Sequence, residues 1–300
     1  MIAVVIPLYN GAADIGAALA SVANQTMEPH EIIVVDDGST DGGPEIVKAS
    51  GLPVTLLRKT NGGVASARNL GIRHSRAELI AFLDQDDIWH PQHLEELARP
   101  FASDPALGLC YSDLSNVSET GEILSARAHE PAAHPKLSIV DCLKADMMIL
   151  PSAAVISRRA FEAVGGFDER LAGYEDDDLF LRILAHGFRC HYVDKPLAQW
   201  RHRAGSGSRS PRFARSRMIY ARKLLASFPE HRGVIAARFM GPFRRDLFAL
   251  VRAGDREGAR RCLDDIREFS AHLRFVDRVL CGARVGLRYG RARLMRARGA

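Results

Sequence analysis

Phe82-Leu83-Asp84-Gln85-Asp86-Asp87-Ile88-Trp89 joins an apolar run to three carboxylates within four positions. Leu79 to Leu83 has the composition of a strand buried on both faces, and its abrupt acidic end is what such a strand delivers to the edge of a parallel sheet. Asp84 and Asp86 are two apart, so in extended backbone they point the same way, and like charges that close repel unless a cation neutralises them. A hard divalent ion, Mg²⁺ or Mn²⁺, itself carrying a nucleotide diphosphate, suits such a pair. A solvated acidic turn ahead of a helix begun by Pro91 fits the same residues, so the neighbouring segments decide.

Upstream, strand and helix alternate. Ile2-Ala3-Val4-Val5-Ile6-Pro7 reads as a buried strand, and Asp14 to Ala23, apolar at Ile15, Ala18, Leu19 and Val22, as the helix after it. Glu31 to Val35 is a second strand ending in Asp36-Asp37-Gly38-Ser39-Thr40-Asp41, where Gly38 permits the turn and Thr40 or Asp41 caps the next helix. Val54 to Leu57 is a third strand, Asn61-Gly62-Gly63 leads into a helix over Val64 to His74, and Leu79 to Leu83 is the fourth strand. This pattern predicts an α/β fold with a doubly wound, mostly parallel sheet flanked by helices. Ligands of such sheets sit beyond the carboxyl ends of the strands, where Pro7, Tyr9 and Asn10, then Asp36 and Asp37, then Asp84 and Asp86 all fall.

Downstream the pattern loosens into a short strand, Leu109 to Tyr111, and a polar stretch through Pro135 that reads as loops. A strand over Ser152 to Ser157 follows, with a helix over Arg159 to Val164 closed by Gly165-Gly166 and a helix over Asp177 to His186. Arg189 to Val193 and Ala198 to Arg201 read as two strands, Gly205 to Arg212 as a flexible link, and the remainder as helices.

Composition sets further bounds. The 300 residues, 47% hydrophobic, are enough to bury a large core. The net charge of +5 hides a split, with about 22 Lys/Arg against 8 Asp/Glu in residues 211–300 and an acidic balance before them. Arg274, Arg278, Arg284 and Arg288 recur among Leu273, Phe275, Val276, Val279, Leu280, Val285 and Leu287, which suits an interfacial helix on an anionic membrane; a helix packed on the body or in a homodimer suits it equally. No nucleic-acid partner is expected. Five scattered cysteines form no C-x-x-C pair, so neither a disulfide framework nor a zinc site follows. No signal segment or membrane span is read, and the expected location is the cytoplasm, with peripheral contact at the inner face of the membrane.

These motifs together resemble the inverting family 2 glycosyltransferases of the GT-A fold, over about the first 205 residues. Val5-Ile6-Pro7-Leu8-Tyr9-Asn10 and Val34-Val35-Asp36-Asp37-Gly38-Ser39 are similar to that family's first two strands, and Asn61-Gly62-Gly63 with Ala67-Arg68-Asn69-Leu70-Gly71 to its nucleotide-side helix. Asp84-Gln85-Asp86-Asp87 resembles the D-x-D motif, and Gly165-Gly166-Phe167-Asp168-Glu169 with Glu175-Asp176-Asp177-Asp178-Leu179 the acceptor-side and base motifs. The resemblance implies a nucleotide-sugar-binding half over residues 1–110, an acceptor and catalytic-base half over 111–210, and a basic helical extension over 211–300. It implies that Pro7, Tyr9, Asn10 and Asp37 hold the nucleotide, with Arg68 near base or phosphate. Asp84 would reach ribose or metal, Asp86 would bind the divalent cation, and Asp176 in the Glu175-Asp176 pair would be the base. The donor would be a nucleoside diphosphate sugar and the acceptor a saccharide, a lipid-linked glycan or another glycoconjugate in polysaccharide assembly. Inverting transfer needs one carboxylate to take the acceptor proton and a Lewis acid for the departing diphosphate.

Two competing functions remain. A nucleotidyltransferase would show a Gly-rich basic loop after the first strand, but Pro7 to Ala13 holds neither Lys nor Arg. A catalytically silent nucleotide-binding module has no need of Asp84, Asp86, Glu175 and Asp176 together. One departure from the family stands out. Its Tyr-Arg-x-His pattern is replaced by Trp200-Arg201-His202-Arg203, so either His202 swings to the metal or Arg203 neutralises the diphosphate in its place.

Overall fold

A computed structural model describes residues 1–136, 138–202 and 211–273. Arg203, most of the Gly205 to Arg212 link and the stretch holding Arg274, Arg278, Arg284 and Arg288 lie outside them. The chain divides into two units, Met1–Ile139 with Met147–Phe213, and Val140–Asp146 with the segment from Ala214 onward.

In the first unit, β1 (Ile2–Leu8), β2 (Glu31–Asp36), β3 (Val54–Arg58) and β4 (Leu79–Phe82) pair in parallel in the order β3-β2-β1-β4. All of β1 is buried because both faces are covered. Ile2, Val4, Ile6 and Leu8 pack with Ile15, Leu19 and Val22 of α1 (Ile15–Ala23) and with Val47 of α2 (Gly43–Ala49). On the other face, Ile33 and Val35 pack with Ala67 and Leu70 of α3 (Val64–His74). Gly71 sets how closely α3 lies on the sheet, since a Cβ there would fall 2.6 Å from a methyl of Val5.

Beyond β4 the sheet changes direction. β5 (Ile88–Trp89) and α4 (His93–Ala98) follow the acidic stretch, and β6 (Leu107–Val117) forms a hairpin with β7 (Ile123–Ser125). After α5 (Ile139–Lys144), β8 (Ala154–Ser157) runs antiparallel between β4 and β6, and α6 (Arg158–Ala163) and α7 (Glu175–Ala185) precede β9 (Arg189–Arg201). β9 runs parallel to β6 and antiparallel to β5, completing a mostly parallel sheet of nine strands. The expected short strand at Leu109 to Tyr111 is 11 residues long, and the two expected strands after Arg189 are one of 13. The reason is a register shift on either side of Asp113, opposite Pro196, which lets the ladder absorb Asp194-Lys195-Pro196, a sequence that otherwise reads as a turn. The polar stretch read as loops contains β7.

The second unit is the helical extension, built from α8 (Pro211–Ser227), α9 (Arg232–Ala253) and α10 (Arg256–Ser270). Tyr220 and Leu224, Phe239 and Phe243, and Ile266 and Phe269 form its buried faces. Gly254 in left-handed conformation ends α9, and Asp255 caps α10 by accepting from the Gly258 N–H at 2.8 Å. No helix among the described residues is long and apolar enough to cross a membrane.

Candidate active site

The loops after β1, β2 and β4 meet at one edge of the sheet, tied by side chains that the sequence spaces far apart. The Gln85 side chain accepts from the Tyr9 N–H at 2.8 Å and donates to the Tyr9 carbonyl at 3.2 Å, which stitches the acidic loop to the end of β1. Tyr9 itself is 49% exposed, leaving a ring face available to a planar ligand. Asn10, at φ 48, donates its N–H to Ser39 Oγ and accepts from the Thr40 N–H at 2.9 Å. Pro7 is buried inside β1, against Val35 in the ladder.

Asp37, buried to 2%, accepts at Oδ1 from Lys59 Nζ (2.6 Å) and the Gly62 N–H (2.9 Å), and at Oδ2 from the Gly63 N–H (2.7 Å). Its carboxylate therefore fixes the turn that starts α3. Lys59 was missed in the sequence, having no motif of its own. The turn matters because α3 carries Arg68 and Asn69 inward.

Arg68 donates to Asp84 Oδ1 at 2.6 Å and to Glu175 Oε1 at 3.0 Å, with Phe167 stacked 5.5 Å away. Burial works against the charge of this guanidinium, but Asp84 and Glu175 outweigh it and hold its pKa above the ordinary arginine range. The resemblance puts Arg68 beside base or phosphate; its side chain is 2% exposed, between two carboxylates. The neighbouring Asn69 clasps the Gly165-Gly166-Phe167-Asp168-Glu169 segment, accepting from the Phe167 N–H and donating to the Phe167 carbonyl and to Glu169.

α7 opens with four acids, a placement its dipole favours. Tyr174 enters it in left-handed conformation at φ 66, and Asp177 accepts from the Met147 N–H at 3.1 Å, which fixes the first turn. Glu175 Oε2 is buried with no hydrogen-bond partner. Asp176 is partly exposed, yet the atoms crowding its carboxyl strip it of water, and with the charges of Glu175 and Asp177 they push its pKa well above the usual carboxylate range. Asp87, 3% exposed, is pushed up in the same direction by burial and then by Asp84 and Asp86, although it accepts from the Arg201 N–H at 3.1 Å. Ser152, 68 residues on from Asp84, gives the acidic loop a fixed floor: its Oγ accepts from the Asp84 N–H and its carbonyl from Trp89 Nε1.

Asp84 and Asp86 thus offer two carboxylates on one loop, while among the described residues no group of three or more His, Cys, Asp or Glu is gathered to hold a metal. His202 is turned to the β6 hairpin, its Nε2 2.9 Å from Asn116 Oδ1 and its ring 4.2 Å from that of Trp200. A cation here fits only with most of its ligands supplied by phosphate oxygens and water.

This sheet presents acids on the loop after β4 and at the start of α7 along one edge, where α/β folds bind their ligands. Residues 3–165 match the family model described as glycosyl transferase family 2, and residues 152–204 match one described as the N-terminal domain of galactosyltransferase. The chain belongs to glycosyltransferase family 2 and is a glycosyltransferase. It is 30% identical over 207 residues to the amylovoran biosynthesis glycosyltransferase AmsB of Erwinia amylovora, spanning 66% of this chain and 68% of that one. It is 29% identical over 187 residues to the hyaluronan synthase of Pasteurella multocida, covering 61% of this chain but 18% of that protein. Among solved structures, S. aureus TarS in complex with UDP-GlcNAc superposes with a TM-score of 0.74 at 19% identity, over 99% of this chain and 92% of that one. The mannosyltransferase PcManGT from Pyrobaculum calidifontis, in complex with GDP-Man and Mn2+, gives a TM-score of 0.61 at 20% identity, over 95% and 79%.

Proposed function

We propose that the protein transfers a sugar, with inversion, from a nucleoside diphosphate sugar to the hydroxyl of a saccharide or lipid-linked acceptor in polysaccharide or glycoconjugate assembly. The observation that carries this reading is the convergence of Asp84, Arg68 and Glu175, which brings the donor-side acidic loop and the acceptor-side helix start to one point. Tyr9 lies against the nucleotide base, with Pro7, Asn10 and Asp37 shaping its pocket. Asp176 takes the acceptor proton, a task suited to a carboxyl whose pKa is raised above the usual carboxylate range by burial and by the charges of Glu175 and Asp177. Asp84 and Asp86 hold a divalent cation, Mg²⁺ or Mn²⁺, which when bound supplies charge stabilisation to the departing diphosphate. Arg203 adds positive charge there, and His202 stays with Asn116. We further propose a cytoplasmic location. The arginine-rich C-terminal stretch gives peripheral contact with an anionic membrane, or a homodimer.

Nucleoside diphosphates and nucleotide sugars screened with Mg²⁺ or Mn²⁺ should raise the melting temperature for one base in particular, because a ligand of the native state stabilises it. Slow metal-dependent hydrolysis of the matching donor should accompany that shift. Melting unmoved by every nucleotide, with no donor consumed, would sink the reading.

A further inference from the structure

Among the described residues, three that are not glycine hold a clearly positive φ: Asn10 at 48, Met148 at 56 and Tyr174 at 66. Asn10 follows β1 at the ligand edge and Tyr174 leads into the acids of α7, so two of the three flank the site described above. Met148 is the third, and neither the donor side nor the base makes use of it. Left-handed backbone comes easily to asparagine, whose short side chain bonds locally, but it is unfavourable for methionine. Such strain persists where the surroundings hold it from both sides. Here the Met147 N–H donates to Asp177 at 3.1 Å, and the Met148 carbonyl accepts from His129 Nε2 at 2.8 Å. His129 is itself fixed, its buried ring stacked on His134 with centroids 4.3 Å apart and its N–H donating to Asp113. Met147 and Ile149 on either side are buried, yet Met148 is 47% exposed. Four residues further on, Ser152 Oγ accepts from the Asp84 N–H at 3.0 Å. The segment from Met147 to Ser152 is therefore tied at one end to the first turn of α7 and at the other to the acidic loop, with one large apolar side chain standing out of it.

We infer that Met148 is a specificity-determining residue of the acceptor subsite, presenting its thioether side chain to the apolar C–H face of the acceptor sugar. This rests on the sugar transfer proposed above. A transferred sugar passes from the donor to a hydroxyl held beside the base, and Met148 is carried on the segment that joins the Asp84 loop to the turn containing Asp176. The residue type suits the contact, because methionine is unbranched and polarizable and fits irregular apolar surfaces. Asparagine or glycine would satisfy the backbone with less strain, so the fold alone gives no reason for a methionine here, whereas contact with a ligand does.

The test uses the full chain with the nucleotide sugar that the melting screen selects, Mg²⁺ or Mn²⁺, and methyl and octyl glycosides of common hexoses as acceptors. Met148→Ala and Met148→Asn should raise acceptor KM by about tenfold while donor KM stays within about twofold, because the lost contact is to the acceptor alone. Methyl and octyl glycosides should suffer alike. Met148→Leu, which keeps the apolar bulk, should stay within about threefold of wild type. Met148→Asn should also melt at or above wild type, since asparagine takes left-handed backbone with less strain. A purely structural Met148 would give the reverse, a lower melting temperature with donor and acceptor constants moving together. That result overturns the inference, as does an acceptor KM unmoved in both Met148→Ala and Met148→Asn. A loss confined to octyl glycosides overturns it too, by assigning the contact to the aglycone. Where no glycoside accepts the sugar, the melting comparison decides: Met148→Asn at or above wild type supports the inference, and Met148→Asn below wild type sinks it. Donor hydrolysis without acceptor separates the two readings. Wild type that neither binds nor hydrolyses any nucleotide sugar refutes the proposed transfer, whereas hydrolysis beside unmoved acceptor constants refutes only the role of Met148.

Discussion

Asp113, inside β6, and the acids around Asp84 and Asp176, on the loop after β4 and the first turn of α7, are wired in opposite ways. Asp113 is fully buried and accepts from the Leu114 N–H (2.8 Å), Arg127 Nε (2.7 Å), the Ala128 N–H (3.1 Å) and the His129 N–H (3.0 Å). Burial alone would raise its pKa, but these four donors prevail and hold it below the usual carboxylate range. Asp176 and Asp87 have burial and neighbouring carboxylates pushing them up, with too few donors to answer. A carboxylate saturated with donors is a staple for the loop it holds. One that is crowded by like charge is stored chemistry, ready to accept a proton or recruit a cation.

The sharpest break in that comparison is kinetic. Asp176→Asn should lower turnover by about a hundredfold or more while leaving nucleoside diphosphate affinity nearly unchanged, the usual scale for losing a general base. Steady-state rates beside a binding titration check this; equal loss of donor binding and turnover would remove Asp176 from the role. Over pH the wild-type rate should rise as Asp176 loses its proton, along a limb above the normal range for an aspartate.

Stability should separate the same two acids with opposite sign. Asp113→Ala leaves Arg127 and three backbone N–H groups without their acceptor and should cost about 2–4 kcal/mol in a denaturant titration. Asp176→Asn should instead raise the melting temperature at pH 7 to 8. A carboxyl whose folded pKa lies above its unfolded value of about 3.9 favours the native state fully only below that value, and the benefit is lost as pH rises through the folded pKa. The asparagine never ionises, so its advantage should shrink on acidification. Asp113 runs the other way: its contribution is present above the unfolded pKa and is lost as pH falls through the depressed one. A melting temperature of Asp176→Asn below wild type at pH 8 would mean that the carboxylate is better satisfied than its neighbours suggest.

The contrast also explains what could be read from the chain alone. β1, β2 and β4 are legible because burial on both faces forces unbroken apolar runs, and the acids at their ends stand out by the abruptness of the change. β6 and β9 were shortened in the reading because their ladder passes through Asp113 and Pro196, residues that signal a turn when no partner strand is in view. Candidate residues such as Asp84 and Asp176 announce themselves by motif, whereas the wiring that tells a staple from a reactive group does not. Arg68 finds its acids 16 and 107 residues away, and Asp113 finds donors at positions 127 to 129, so no local window contains either answer.

The smallest expected effect belongs to His202, and it tests whether the charge store recruits a ligand from β9. Strand pairing continues one residue past β9, because the His202 N–H donates to the Val117 carbonyl at 2.8 Å. That bond keeps His202 extended beside the hairpin, where Nε2 meets Asn116 Oδ1 and the ring leans on Trp200. A metal-ligating imidazole needs an uncommitted ring nitrogen aimed at the ion and a partner fixing the other. Here one ring nitrogen is fixed on a hairpin side chain, and among the described residues no group of three or more His, Cys, Asp or Glu is gathered about the other. His202→Ala should therefore change Mg²⁺-dependent nucleoside diphosphate affinity by less than about threefold, and Asn116→Ala should match it, since the two groups serve one another. Asp86→Asn, which touches the crowded acids, should lose about tenfold or more in the same titration, as loss of a carboxylate ligand would. A tenfold loss in His202→Ala with Asn116→Ala unaffected would mean that His202 leaves the hairpin when the nucleotide arrives, and would move it from the stapled class into the reactive one.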